Sequence, residues 1–226
     1  MGKSSSACAP LRIWGDEAVN ANTQRQRIAG SAGAIELLVD SPVGPSIGVA
    51  VLSHPHPLFG GTMDNKVVQT LARAFVQCGW QAVRFNFRGV GASEGQYDEG
   101  RGELQDLLSV VGQMAPGGPL ALAGFSFGAF VTSHAVACLA GQRELRQVVL
   151  VGTAASRFEV APVPPELHEV TLAIHGEADD TVPLSAVMDW ARPQCLPVLV
   201  IPGGGHFFHG QLPLLKNLIA RHLRAG

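Results

Sequence analysis

From about residue 28 onward, short and nearly uninterrupted apolar runs alternate with segments of helical period, and this alternation limits the possible folds most. The strand-like runs are AIELLVD (34–40), IGVAVLS (47–53), QAVRFNF (81–87), PLALAGF (119–125), QVVLVGT (147–153), VTLAIHG (170–176) and PVLVIPG (197–203). Between or after them lie the helical stretches 64–80, 103–114, 128–141, 185–192 and 212–223. In the first of these, Val67, Val68, Leu71, Ala74, Phe75 and Cys78 recur at helical spacing. Strands without a polar alternate face must be covered on both sides. The expected fold class is therefore α/β, with a mostly parallel central sheet and helices on both faces.

A chain of 226 residues with 46% hydrophobic and 15% charged residues can bury one full core. Residues 1–28 show no clear period and read as an N-terminal extension, free to be mobile, ahead of a domain at 29–226. The connection 154–169, with three prolines in APVPPE, is too short for a separate lid domain. A net charge of −2 gives no basic footprint, so neither nucleic acid nor an anionic membrane surface is an expected partner. No run approaches the ~18 apolar residues of a membrane span. The polar N-terminus does not read as a secretory signal, which makes a cytoplasmic location the expectation. Cys8, Cys78, Cys138 and Cys195 form no C-x-x-C pair and read as buried free thiols in a reducing compartment, with no metal-ligand spacing.

In sheets of this kind ligands bind beyond the carboxyl ends of the strands. The polar chemistry of this chain collects there. Ser-His-Pro-His-Pro follows one run, Arg88-Gly89 another and Ser126 a third, while His175 with Asp179-Asp180 and Gly-Gly-Gly-His206 follow two more. The pattern G-x-S-x-G occurs twice, around Ser93 and around Ser126. A serine hydroxyl becomes a useful nucleophile only beside a base and donors for the developing oxyanion. A sharp strand-to-helix turn with flanking glycines supplies that setting. Ser126 has an apolar strand before it, a helix after it and Gly124 and Gly128 on either side. Ser93 lies in a long glycine-rich loop and reads as a serine that satisfies local backbone groups. The same loop carries Gly89, Gly91 and Gly95, one residue off the dinucleotide spacing and with no helix opening there, so no nucleotide site is expected.

A serine nucleophile calls for a histidine oriented by a carboxylate. His134 and His222 fall within helices and His168 in a loop, while His175 ends a strand before an acidic turn. His206, after a triple glycine at the end of the last strand, is the base that a flexible loop can deliver over Ser126, with His209 as the nearby rival. For the acid, HGEADDTVP offers Glu177, Asp179 and Asp180.

With these motifs in place, residues 29–222 resemble the α/β-hydrolase superfamily, and more narrowly a group of compact, lidless bacterial hydrolases known mainly as predicted esterases. The matching stretches are HPHPLFGGTMDNKVV (54–68), RFNFRGVGASEGQYDEGRGE (84–103), GFSFG (124–128), HGEADDTVP (175–183) and GGHFFHG (204–210). The resemblance implies Asp179 as the triad acid and His206 as the base. It makes the Ser93 motif a structural loop. One oxyanion N–H is expected from Phe127, the residue after the nucleophile. The second is expected from Leu58, on the pairing of His56-Pro57 with the His-Gly of related enzymes, or from His56 if His54-Pro55 is the counterpart. Pro55 and Pro57 themselves have no N–H.

The expected activity is hydrolysis of a small or medium carboxylic ester through an acyl-enzyme, with no metal or organic cofactor. Thioester or peptide hydrolysis by the same triad, and a non-catalytic binding role on the same fold, are the alternatives. Phe59, Phe125 and Phe207 lie in motif loops and are expected to make the substrate pocket apolar. A small-molecule ester is the only partner implied, and the oligomeric state is left open.

Overall fold

The computed structural model describes residues 11–12 and 18–225. Its strands are β1 (Leu11–Arg12), β2 (Gln24–Gly30), β3 (Gly33–Asp40), β4 (Val49–Ser53), β5 (Gln81–Phe85), β6 (Leu120–Phe125), β7 (Leu145–Val151), β8 (Thr171–Gly176) and β9 (Val198–Ile201). The helices are α1 (Lys66–Gln77), α2 (Arg101–Met114), α3 (Phe127–Leu139), α4 (Leu184–Ala191) and α5 (Leu212–Ala225). One sheet runs in the order β1-β2-β3-β5-β4-β6-β7-β8-β9. The first three pairings are antiparallel, and those from β5 through β9 are parallel. This is the expected α/β fold.

Period-two alternation sorts the strand residues onto two faces. Val51, Leu122, Val148 and Leu150 face α2 and α3, whose Leu107, Val110, Phe127 and Val131 complete that core. Ala50, Leu52, Ala121, Ala123 and Phe125 face α1 and α5, where Val68, Leu71, Phe75, Leu215 and Ile219 close the other. Both faces are dry, which is why the central strands read as continuous apolar runs.

Strand β2 has no counterpart among the strand-like runs of the sequence. It crosses residue 28, where the sequence places the boundary of an extension, and pairs along its full length with β3, from Gln24 opposite Val39 to Gly30 opposite Gly33. Of the expected extension, residues 1–10 and 13–17, and with them Cys8, lie outside the described residues. Of the other cysteines, Cys78 is half-buried and Cys138 and Cys195 are exposed, so the expectation of buried thiols fails for those two. Both sit at helix ends that face solvent. The β7–β8 connection, residues 152–170, holds one 3-10 turn at Pro165–Leu167 and no lid domain. Among the described residues, no helix is long and apolar enough to cross a membrane.

The strand order positions the site. Chain connections leave β4 towards β5 on one side, and after β6 they proceed through β7 to β9 on the other. The crevice at such a reversal opens above the ends of β4 and β6. Residues 54–61 follow β4 and Ser126 follows β6.

Candidate active site

Ser126 stands in the turn between β6 and α3 with φ +58° and ψ −117°, a backbone conformation that L side chains rarely adopt. Its N–H donates to the Val151 carbonyl at 2.9 Å, which pins the turn to β7. The flanking glycines permit close crossing of strand and helix. A Cβ on Gly124 would lie 2.4 Å from the Gly128 carbonyl carbon, and one on Gly128 would lie 2.4 Å from the Ser53 oxygen. The start of α3 is thereby pressed against the end of β4.

The structure brings Ser126, His206 and Asp179 together from three loops. His206 Nε2 lies 3.0 Å from Ser126 Oγ, and His206 Nδ1 lies 2.7 Å from Asp179 Oδ2. All three residues are nearly buried. The other oxygen of Asp179, Oδ1, accepts from the N–H groups of Thr181 at 2.9 Å and Val182 at 2.7 Å, so the carboxylate has a fixed orientation. Burial pushes the Asp179 carboxyl up, but hydrogen bonds from His206 and from the Val182 N–H, with the His206 and His175 charges, hold it below its ordinary value. An ionised carboxylate only accepts. The proton between it and His206 therefore sits on Nδ1, which leaves Nε2 to accept from the Ser126 hydroxyl.

His175 supports this arrangement from beneath. Its Nε2 donates to the Val182 carbonyl at 2.9 Å and stands 3.5 Å from Asp179 Oδ2, and burial lowers its pKa. The remaining acids of the same turn point elsewhere. Asp180 is exposed and accepts from Thr181 Oγ1, and Glu177 accepts from the Gly203 N–H. His134, His168 and His222 each bond a backbone carbonyl. His209 is exposed. Ser93 is held as a loop serine: its Oγ accepts from the Glu36 N–H at 2.9 Å and donates to the Asn86 carbonyl at 2.7 Å.

The backbone donors around Ser126 differ from expectation in one place. Phe127 N–H, at the first position of α3, has no acceptor within the helix. The Leu58 N–H already donates to His56 Nδ1 at 3.2 Å, and Leu58 is two-thirds exposed and does not line the cleft. The cause is the 3-10 turn Pro57–Phe59, for which His56 is the N-cap and its ring the cap acceptor. His56 lines the cleft beside Ser126, and its own N–H makes no hydrogen bond among the described residues. The geometry favours His56 over Leu58.

The cleft over Ser126 has a volume of about 280 Å³. Phe59 and Phe207 line it, and both are partly or largely exposed. Phe125 does not. It is fully buried, with its ring 5.0 Å from that of His206, and forms a floor under the imidazole. Phe125 shares a sheet face with Ala121 and Ala123, and the period of two along β6 carried that signal. Phe127, Phe158 and Arg157 line the cleft instead, together with Val182. Residues 152–160 carry no motif, so nothing in the sequence signals Phe158 and Arg157 as lining residues. Phe158 is fixed by stacking on Phe130 at 4.7 Å and by an edge contact with Phe127 at 5.2 Å. Among the described residues, no group of three or more His, Cys, Asp and Glu side chains could hold a metal ion.

Residues 58–178 match the family model described as serine aminopeptidase, S33. A lidless α/β serine hydrolase from Xanthomonas campestris has a similar structure, with a TM-score of 0.81 and 35% identity over 91% of this chain and 95% of that one. An α/β serine hydrolase homologue from Coxiella burnetii has a TM-score of 0.75 and 37% identity over 88% and 96% of the two chains. An uncharacterized protein of Rickettsia prowazekii is 38% identical over 111 residues; the match spans about half of each, 47% of this chain and 47% of the relative.

Proposed function

Because the chain belongs to the α/β-hydrolase superfamily, in the family described as serine aminopeptidase, S33, we propose that it is a serine hydrolase of small or medium carboxylic esters. The observation that supports this reading is the unbroken hydrogen-bond chain from Ser126 Oγ through His206 to Asp179, set at the floor of an apolar cleft. Ser126 Oγ attacks the ester carbonyl as His206 Nε2 takes its proton. Asp179 holds the imidazole in the required tautomer and stabilises the imidazolium. The Phe127 N–H and the His56 N–H donate to the oxyanion of the tetrahedral intermediate. His206 returns the proton to the leaving alcohol. It then activates a water that releases the acid from the acyl-enzyme.

The family's description names an aminopeptidase, whose substrates present a free ammonium beside the scissile amide. A site for that group needs carboxylates, and the residues lining this cleft include no aspartate or glutamate and do include Arg157. That charge pattern favours an ester over an aminoacyl substrate.

The test is kinetics on matched p-nitrophenyl esters, acyl thioesters and aminoacyl anilides, with fluorophosphonate labelling alongside. Ester turnover, with labelling that disappears in Ser126→Ala, supports the proposal. Turnover of the anilide alone would make the protein a peptidase. An unlabelled wild type would make it a non-catalytic member of the fold.

A further inference from the structure

The cleft is lined mainly by aromatic and aliphatic surface, with the uncharged polar side chains of Asn65, Ser126 and Thr181 and the imidazoles of His56 and His206 among it. Arg157 lines it, and the guanidinium has neither an ion pair nor a hydrogen bond among the described residues. It is also the only cleft-lining side chain with a permanent charge. The acids next in sequence to lining residues, Asp64, Glu159 and Asp180, do not line it: Asp64 pairs with Arg84, Glu159 is exposed, and Asp180 is exposed and accepts from Thr181. The Arg157 side chain is exposed, and the backbone that carries it is held in place. The Arg157 and Phe158 N–H groups both donate to the Ala154 carbonyl, at 3.1 Å each. The Phe158 ring is anchored between Phe130 and Phe127 and also approaches His56, at 5.9 Å. Arg157 stands close enough to His56 for its charge to add to burial in lowering the pKa of that imidazole.

From this placement we propose that Arg157 selects esters that carry a carboxylate, so that the substrate is an acidic ester whose apolar body fills the cleft between Phe59, Phe158 and Phe207. This rests on the reading of Ser126 as a hydrolytic nucleophile. The chemistry is specific. A planar guanidinium with several N–H donors pairs with a carboxylate through two parallel hydrogen bonds, which an ammonium cannot reproduce. The apolar lining around it reduces competition from water on one side. The carboxylate can be carried by the acyl part or by the alcohol part of the ester.

Two substrate pairs separate these cases. The acyl pair is p-nitrophenyl hydrogen glutarate and its neutral methyl ester. The alcohol pair is 4-acetoxybenzoate and methyl 4-acetoxybenzoate. For each pair the readout is the ratio of kcat/KM, acidic over neutral, compared between wild type, Arg157→Gln and Arg157→Lys, so that intrinsic reactivity cancels. In at least one pair the ratio is expected to fall about tenfold in Arg157→Gln and less in Arg157→Lys, with the fall diminished at high salt. Ratios that are equal in wild type and Arg157→Gln for both pairs overturn the proposal and leave the esterase reading intact. Calorimetry with Ser126→Ala as the background reads Arg157 without turnover. If wild type hydrolyses no ester but Ser126→Ala binds 4-acetoxybenzoate and Ser126→Ala/Arg157→Gln does not, the carboxylate site stands and the esterase reading fails. If neither background binds it and no ester is hydrolysed, both fail.

Discussion

His206 Nε2 stands 3.0 Å from Ser126 Oγ although the two residues are 80 positions apart, one beyond the end of β9 and the other beyond the end of β6. Two strands, β7 and β8, separate their origins in the sheet. The loop after β9 must therefore fold back across the sheet edge. Gly204 and Gly176 allow this, since a Cβ on Gly176 would lie 2.2 Å from the Gly204 oxygen. Phe125 beneath the imidazole then fixes its height over the serine.

The three residues are expected to act as a unit. Ser126→Ala and His206→Ala should each lower kcat on order of 10⁴-fold or more, and Asp179→Asn should approach that loss by presenting the wrong tautomer. The double variant Ser126→Ala/His206→Ala should be no slower than either single one. Single-turnover assays on p-nitrophenyl acetate check this. Multiplicative losses in the double variant would mean that the two groups work independently.

The backbone of Ser126 carries a cost that a stability measurement can isolate. At φ +58° and ψ −117° a residue with a Cβ is strained by roughly 1–3 kcal/mol, and glycine is not. Ser126→Gly should unfold at higher denaturant than Ser126→Ala, since both lose the hydrogen bond to His206 and only glycine relieves the strain. The expected gap is about 1 kcal/mol after the greater unfolded-state entropy of glycine. Coincident urea midpoints for the two variants would place no strain at the turn.

The parallel half of this fold was legible because its strands are buried on both faces and so are written as apolar runs. QRQRIAG, which forms β2, is not written that way. It is half-exposed at the antiparallel side, holds its place by backbone pairing with β3, and adds an Arg25–Glu36 ion pair across the strands. Such pairing is non-local and leaves no period in the sequence. Ser126 and His206 could be read from strand ends, and Asp179 from the likeness of its motif. Arg157 and Phe158 could not, because only the stacking of Phe158 on Phe130 turns a featureless loop into one wall of the cleft.

His54 gives a pH prediction. It is fully buried at the end of β4, accepts from the Phe87 N–H at Nε2 and donates from Nδ1 to the Pro55 carbonyl. Both ring nitrogens are satisfied in the neutral form, and a second proton would face the Phe87 N–H. Burial is the main cause that lowers its pKa from 6.5 to about 4. Above pH 6.5 neither the folded nor the unfolded chain binds this proton. Between 6.5 and 4 the unfolded chain does, so stability falls with pH, by roughly 3 kcal/mol in total from this group. His56, His175 and His222, also lowered, add in the same direction. Denaturant titrations across pH 4 to 8 measure the slope, and imidazole NMR identifies the group. A His54 resonance that titrates near 6.5 would refute the assignment.

The same substitution should have opposite signs at two helical glycines. A Cβ at Gly128 meets two backbone oxygens, Ser53 at 2.4 Å and His54 at 2.5 Å, which cannot rotate aside. Gly128→Ala must push α3 away from the end of β4, at a cost of about 2 kcal/mol or more. It should also lower kcat, because the Phe127 and His56 N–H groups sit on the two elements forced apart. Gly112, in α2, has nothing within 4 Å of such a Cβ and is exposed. There alanine should stabilise by about 0.5–1 kcal/mol through its better helix propensity, with activity unchanged. Urea unfolding of the two variants beside wild type reads both signs at once. If Gly128→Ala were as stable and as active as wild type, the close crossing of strand and helix would not be what holds the two donors around Ser126.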